Sequence, residues 1–432
     1  MNKKHIAIAF LIVLTNAVGA TAILPMLPIY AEKQFQATPL QALLVIPAYY
    51  GTQFVAAPWL GTLSDRFGRR PILIMSQVGT IGSYLLFIFA VPLGNSMGVI
   101  LEMSGGLVMI YLARLMDGLT GGNVSAAEAY ASDISDETSR AQALGLIGGA
   151  VGLGHILGPG LAVALSGISL IAPMMGALVL SGMTLLLTIM FLEESLPPEK
   201  RFATRSDVHK IHPLRISHPV TLVIATAFIT GLYLASLLSS FSLYAERVLF
   251  PDRPAEVVVQ NVSLLVTASG LIAAVSQIFL TAPLVKRWGE QRLVVIGSTL
   301  LLGSALGISS GSLGLVLASV ILYALGYATS WPSLQAILTR LSSKENAGRL
   351  LGYFQSAFSL AFIVSPVLAG IILEDMGPLA IFQSGSFLMA LATFLGIRLL
   401  RLSLPAAATT AANLLSAAAV SHPGRVRENS AD

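Results

Sequence analysis

Apolar segments of about 20 residues recur from one end of this chain to the other, and a run of that length matches the hydrocarbon thickness of a bilayer. Reading the runs between charged or turn-rich breaks predicts helices at about 5–30, 39–64, 71–91, 107–131, 143–165 and 169–192. A polar stretch from Glu193 to His218 follows, and the pattern resumes at about 220–244, 258–284, 292–310, 313–339, 349–373 and 379–400. Composition agrees: 55% of the 432 residues are hydrophobic, 11% are charged and the mean hydropathy is +0.80, which excludes a soluble enzyme. The expected architecture is an all-α membrane protein of twelve transmembrane helices in two parallel-repeated halves. Its parts are a six-helix half (1–192), a linker (193–218), a second half (219–401) and a disordered Ala/Ser/Thr-rich tail (402–432).

Charge fixes the expected orientation. With both termini and the linker in the cytoplasm, 21 of the 25 Lys and Arg fall inside, three (Lys33, Arg247 and Arg253) fall outside, and Arg114 lies within a span. The net charge of +4 therefore reports topology, and no nucleic-acid partner is expected. Lys3 and Lys4 before an apolar run, with Ala20-Thr21-Ala22, imitate a secretory leader. The run continues to Tyr30, however, and its removal would invert the charge pattern of every later loop, so it is read as the first span.

The halves repeat each other. Gly61-Thr-Leu-Ser-Asp65-Arg66-Phe67-Gly68-Arg69-Arg70 aligns with residues 282–291 at an offset of 221, while Gly145 and Pro159 match Gly352 and Pro366 at an offset of 207. A Gly-rich loop at about 92–106 accounts for the 14 extra residues of the first half. Parallel halves of this kind place a substrate site at their interface near the bilayer midplane.

Three motifs carry chemistry. Gly61, Asp65, Arg66, Gly68, Arg69 and Arg70 form a charged loop between the second and third spans. Gly154-His155-Ile-Leu-Gly158-Pro159-Gly160 in the fifth span combines small residues four apart with a proline, allowing close helix contact and a bend. In the fourth span Arg114, Asp117, Gly121, Ser125 and Glu128 fall on one stripe of a continuous helix, and ionisable residues in hydrocarbon are functional candidates.

On these residues, from about 5 to 400, the chain resembles the major facilitator superfamily, in particular its twelve-span drug:proton antiporters of the tetracycline and multidrug exporter branch. The resemblance implies that the Gly61–Arg70 loop latches the cytoplasmic side, with Asp65 receiving the N-terminal end of the eleventh span and Arg69 pairing with Asp133. It implies an antiporter role for Gly154, Gly158, Pro159 and Gly160, although Ala162 and Val163 stand where the family carries a glycine pair. It also implies proton coupling or a cavity role for Arg114.

Other assignments stay open. Arg114 and Asp117 either couple protons or only hold the bundle together. Glu128, with no basic residue within a turn, is either the proton carrier or a solvated group at the cytoplasmic mouth. His155 is either a proton relay or a histidine closing a bundle hydrogen bond. The acids and histidine of tetracycline exporters are replaced by Asn16, Ser83, about Leu301 and Ala273. The remaining cavity candidates are Asn16, Tyr49, Tyr50, Gln53, Asn123, Gln277, Trp331, Gln335 and Gln355, a set suited to a lipophilic compound.

The absence of Gly-x4-Gly-Lys-Ser/Thr and His-Glu-x-x-His, and of any cysteine, leaves no nucleotide-driven, zincin or thiolate chemistry. His209, His212 and His218 in the linker read as solvated, with no metal site. The expectation is a monomeric multi-pass transporter of the inner or plasma membrane, without cofactor. It would export a small lipophilic compound in exchange for protons drawn down their gradient. A nutrient symporter or uniporter and a transporter-like membrane sensor are the alternatives.

Overall fold

The computed structural model describes residues 3–100, 103–121, 123–136, 139–196, 201, 217–342 and 346–402. The first half contains α1 (Lys3–Ile23), α2 (Leu27–Phe35), α3 (Pro39–Phe67), α4 (Arg69–Ile88), α5 (Ala90–Met97), β1 (Val99–Ile100) and β2 (Met103–Ser104), then α6 (Gly105–Thr120), α7 (Asn123–Asp133), α8 (Arg140–Ser166) and α9 (Ala172–Phe191). The second contains α10 (His218–Tyr244) with a π-helical turn Ala245–Leu249, and α11 (Ala255–Ser276), which runs through a second π-turn, Gln277–Thr281, into α12 (Ala282–Trp288). It closes with α13 (Glu290–Ser309), α14 (Leu313–Leu341), α15 (Ala347–Met376) and α16 (Pro378–Leu400). Eleven of these helical runs are individually long and apolar enough to cross a bilayer, and the pair α6–α7 supplies the twelfth crossing.

Where the helices depart from the expected spans, backbone chemistry explains it. The first span stops at Ile23 because Pro25 lacks an N–H, and a short helix restarts with Pro28 in its first turn. The Gly-rich loop is ordered as α5 and an antiparallel β1–β2 pair, seated on α6 where Gly94 meets Gly105 and Gly106 without room for a Cβ. The fourth span is not one helix: α6 ends at Thr120, Gly121 is its C-cap, and α7 starts at Asn123. Adjacent glycines remove both side-chain packing and helix propensity at that point. The tail and most of the linker, with Lys200, Arg205, His209, Lys210, His212 and Arg215, lie outside the described residues.

Within lipid, helices associate through close packing and not through water exclusion, so small residues mark the contacts. In the first half α1 packs on α8 and α9, and α4 packs on α6 and α9; in the second, α13 packs on α14 and α16, and α10 on α15 and α16. Gly154 abuts Ala17, and Gly158 lies against Val18 O and Ala22 N, which brings α1 and α8 into backbone contact. Gly297 and Gly326 do the same for α13 and α14. The repeat is visible in the backbone: Gly68 (φ 104°) and Gly289 (φ 78°), 221 residues apart, each turn the chain sharply between successive helices.

The halves meet along two antiparallel pairs, α3 with α15 and α8 with α11. Both pairs are closed at the end of the molecule that carries α2. There Leu40 N–H donates to Glu374 Oε1 (3.0 Å), Tyr50 packs on Phe362 (4.9 Å between ring centroids), and Gln260 Nε2 donates to Val163 O (3.2 Å). Two ion pairs cross the same end, Lys33 Nζ–Glu246 Oε1 and Arg247 Nη2–Glu32 Oε1, each 2.8 Å. Towards the end that carries the chain termini the pairs diverge: a Cβ on Gly61 or Gly352, or on Gly145, Gly148, Gly149 or Gly152, would have no atom within 4 Å.

Candidate functional site

The buried polar centre of the first half is built around α6. Gly118 lies directly against the Tyr49 carbonyl and Thr52 of α3, so the two helices approach closely enough for the Tyr49 ring to reach Arg114. The Arg114 guanidinium stands 5.7 Å from the Tyr49 ring centroid and 5.6 Å from that of Phe87, and Nη2 is 3.4 Å from Asp117 Oδ2. Both side chains are almost wholly withdrawn, 4% and 2% exposed. Thr80 Oγ1 of α4 donates to Asp117 Oδ1 (3.1 Å), and Asn16 Nδ2 of α1 makes a long contact to the same Thr80 oxygen (3.5 Å). Arg114 Nε and Nη2 make no hydrogen bond, leaving donors for a ligand or a rearranged partner.

The break after α6 adjoins this centre. Gln53 Nε2 donates to Gly121 O (3.1 Å) and to Tyr49 Oη (3.2 Å), and the Ser76 hydroxyl is bonded to Thr120 O. The carbonyl groups freed at the helix end are thus satisfied by side chains from α3 and α4. From Tyr49 a run of aromatic rings crosses to the other half: Tyr50, Phe362, Phe358, Trp331, Tyr327 and Tyr323, at centroid separations of 4.6 to 6.4 Å.

That run ends on the wall of a cavity between the halves. Thr21, Leu24, Pro25, His155 and Pro159 line it from the first half; Leu237, Phe241, Ser242, Val266, Ser269, Ser319 and Tyr323 are among those lining it from the second. Among the described residues that line it there is no carboxylate, Lys or Arg. A mostly apolar chamber with a few hydroxyls and one imidazole takes a molecule held by shape and burial.

Several sequence expectations need correcting. The stripe does not run unbroken from Arg114 to Glu128, because the α6–α7 interruption separates them, and Glu128 is exposed, as is Ser125. Of the cavity candidates, Asn16, Tyr49 and Gln53 belong to the Arg114 centre, not to the cavity. Trp331 is packed between Phe354, Phe358 and Tyr327, Gln335 is half-buried in α14, and Gln277 and Gln355 are exposed on helices whose facing surfaces have separated. The side chain of Asn123 lies outside the described residues. The cavity's own polar groups, Thr21, Ser242, Ser269 and Ser319, were missed, since a hydroxyl in an apolar span ordinarily bonds its own helix backbone.

The loop motif is assembled within the first half. Arg69 pairs with Asp65 (2.5 Å) and Asp133 (3.0 Å) and donates to Ser64 Oγ (3.1 Å), while residues 343–345, just before the eleventh span, lie outside the described residues. Glu194, unnoticed in the sequence, accepts from Arg69 N (2.9 Å) and Arg70 N (3.3 Å), placing a carboxylate at the positive end of α4. Arg70 reaches Ile189 O (2.8 Å) and Arg66 stacks on the neighbouring Phe67. In the fifth span Gly154 and Gly158 face α1, whereas Gly160 faces Thr267 across the halves. His155 is exposed and lines the cavity, with Nδ1 2.8 Å from Val151 O one turn back on its own helix, a contact within the helix and not across the bundle. No cluster of three or more His, Asp or Glu able to hold a metal exists among the described residues.

Two six-helix halves, closed at one end, open at the other and with a mostly apolar chamber between them, define a transporter and not an enzyme. The family model of the Major Facilitator Superfamily matches residues 9–251 and 253–423, and the chain belongs to that superfamily. The chain is 28% identical to the class C tetracycline resistance protein of Escherichia coli, over 82% of this chain and 85% of that protein. It is 26% identical to multidrug resistance protein 2 of Bacillus subtilis, over 84% and 88%. Among solved structures, the human organic anion transporter MFSD10 (TETRAN) aligns with a TM-score of 0.62 at 23% identity, covering 91% of this chain and 99% of that one.

Proposed function

We propose that this transporter exports small, largely apolar organic compounds in exchange for protons, with Asp117 as the acid that binds and releases the proton. The observation that carries the reading is the buried Arg114–Asp117 pair, set beside a break in the fourth span and joined through Tyr49 to the interface between the halves. An acid at 2% exposure is retained at a cost in hydrocarbon only where its charge is used. The relatives' names concern tetracycline and multiple drugs. The uncharged cavity of this chain fits a neutral or weakly polar compound better than a charged metal chelate.

In this reading the closed α2 end faces outward and the open end, with both termini, faces the cytoplasm, so the structure is the inward-facing state. Residues 1–192 and 219–401 act as the two moving halves, joined by 193–218, with 402–432 as a tail. The protein works as a monomer in the inner or plasma membrane, driven by the proton gradient without a cofactor. Protonation of Asp117 releases Arg114 from its counter-charge and changes what holds Tyr49, the first ring of the run leading to Phe362. Proton and substrate then communicate through packing and do not compete for one surface. Glu128, exposed towards the open end, and His155, on the cavity wall, are secondary candidates for handling the proton on its way.

The test is uptake of tetracycline and a panel of fluorescent lipophilic dyes into inside-out vesicles, with and without an uncoupler. Wild type should accumulate at least one probe in an uncoupler-sensitive manner, Asp117→Asn should abolish this, and Glu128→Gln should retain it. Gradient-driven accumulation that persists in Asp117→Asn sinks the assignment.

A further inference from the structure

A second, smaller pocket, with room for about one water molecule, lies inside the first half, apart from the cavity between the halves, lined by Ile12, Thr15, Asn16, Gln77, Thr80 and Ser181. Five of its six lining side chains are polar, and they come from three different helices, α1, α4 and α9. A polar site that just admits one water molecule and offers it two to four partners can hold that water as part of the structure. Thr80 is the only lining residue that also touches Asp117: its hydroxyl faces the pocket and donates to Asp117 Oδ1 at 3.1 Å. The Asn16 amide approaches the same oxygen from α1 at 3.5 Å and turns the hydroxyl hydrogen towards the carboxylate. On the far side Gln77 is fixed by Thr188 (3.0 Å), so the pocket wall is pinned.

We propose that this pocket is hydrated and that Thr80 passes protons between its water and Asp117, a route separate from the substrate cavity. The inference rests on Asp117 being the coupling acid. A hydronium ion in the pocket gives a proton to Thr80 Oγ1 while the Thr80 hydroxyl hydrogen moves to Asp117 Oδ1. Thr80 stays neutral, water is left behind, and the net change is one proton bound to the carboxylate; release is the reverse. Asn16 cannot relay and acts as a positioning residue. The titratable and charged groups around Asp117 are Arg114 on its own helix, Tyr49 from α3 and Tyr84 from α4. None of them lines the pocket, so pocket water reaches the carboxylate through Thr80 alone among the described residues. Such a route explains how a proton could arrive while an apolar compound fills the central cavity.

The experiment needs no known substrate. The full-length protein in nanodiscs is taken through a pH jump, and the carboxylic acid C=O infrared band is followed in time, with Asp117→Asn identifying the band. Thr80→Val should slow its appearance by roughly tenfold or more while leaving its final amplitude, and Thr80→Ser should restore the rate to near wild type. Ser181→Val, which narrows the pocket without touching Asp117 or Thr80, should slow it as well and carries the test if Thr80→Val does not fold. Wild-type kinetics in both valine variants would overturn the relay. A band that Asp117→Asn leaves untouched would instead overturn Asp117 as the coupling acid, so the two failures are distinguishable.

Discussion

Arg69 and Asp133 are joined at 3.0 Å across the open end of the first half, and their repeat-mates, Glu290 at an offset of 221 and Arg340 at an offset of 207, are joined at 2.6 Å in the second. The two pairs occupy equivalent places with their charges exchanged. Each ties the start of the third helix of its half to the end of the fourth, so the same mechanical connection survives while the sign of the charge does not. A tie that can be inverted serves to hold helices, independent of any anion or cation at that end.

Exchange of the first pair should therefore be tolerated better than its loss. Asp133→Ala leaves a guanidinium that is 10% exposed short of one partner, and it should lower both thermal stability and transport. Arg69→Asp combined with Asp133→Arg should recover part of both. A double-mutant cycle on melting temperature should give a coupling energy of about 1 kcal/mol or more. A cycle that closes to zero would mean the tie contributes nothing.

The twelve spans were legible because apolar length is a property of the sequence itself. So was the pair Arg114–Asp117, since two ionisable residues three apart in an apolar run meet whatever surrounds them. The break at Gly121 was not read, because glycines in membrane helices usually serve packing, as Gly118 does one turn earlier. Thr80 and Ser181 were invisible for a related reason: only the neighbouring helices decide whether a hydroxyl bonds its own backbone or lines a pocket. Gln277 and Gln355, expected in the cavity from their polarity, are exposed where the paired helices diverge.

The α1–α8 contact should be intolerant of added volume. A Cβ at Gly158 would lie 2.6 Å from Val18 O and 2.9 Å from Ala22 N, both backbone atoms that cannot swing aside. Gly158→Ala should cost about 1–3 kcal/mol of stability, read as a lowered melting temperature with matching loss of transport. Gly149→Ala, on the same helix but facing open space, should melt within a few degrees of wild type.

Glu32 gives the closed end a pH dependence of defined sign. Burial raises its pKa above the ordinary 4.5, only partly offset by Arg247, while Glu246 raises it further and Lys33 lowers it. A carboxyl that takes up a proton more readily when the end is closed than when it is solvated favours closure at low pH. Its contribution is fully present below the solvated value and is lost as pH rises through the raised one. Spin labels placed on α2 and on the 245–249 turn should report more of the closed population at acid pH, and Glu32→Gln should flatten that slope. An opposite slope that Glu32→Gln removes would show that the Arg247 pair outweighs the burial.

The absence of cysteine makes the divergence of α3 from α15 directly measurable. A Cβ on Gly370 lies 2.9 Å from Leu40 Cα and 3.4 Å from Leu40 Cβ, close to the Cβ separation of about 3.5–4.5 Å that a disulfide requires. Leu40→Cys with Gly370→Cys should cross-link rapidly in the resting protein and block transport until reduced. Gly61→Cys with Gly352→Cys should not cross-link in that state, since neither position has an atom within 4 Å. It should do so only when the halves rock to close the other end, so bonds at the two ends should be mutually exclusive. Simultaneous rapid formation of both in one molecule would mean that the halves do not alternate about the Tyr50–Phe362 contact.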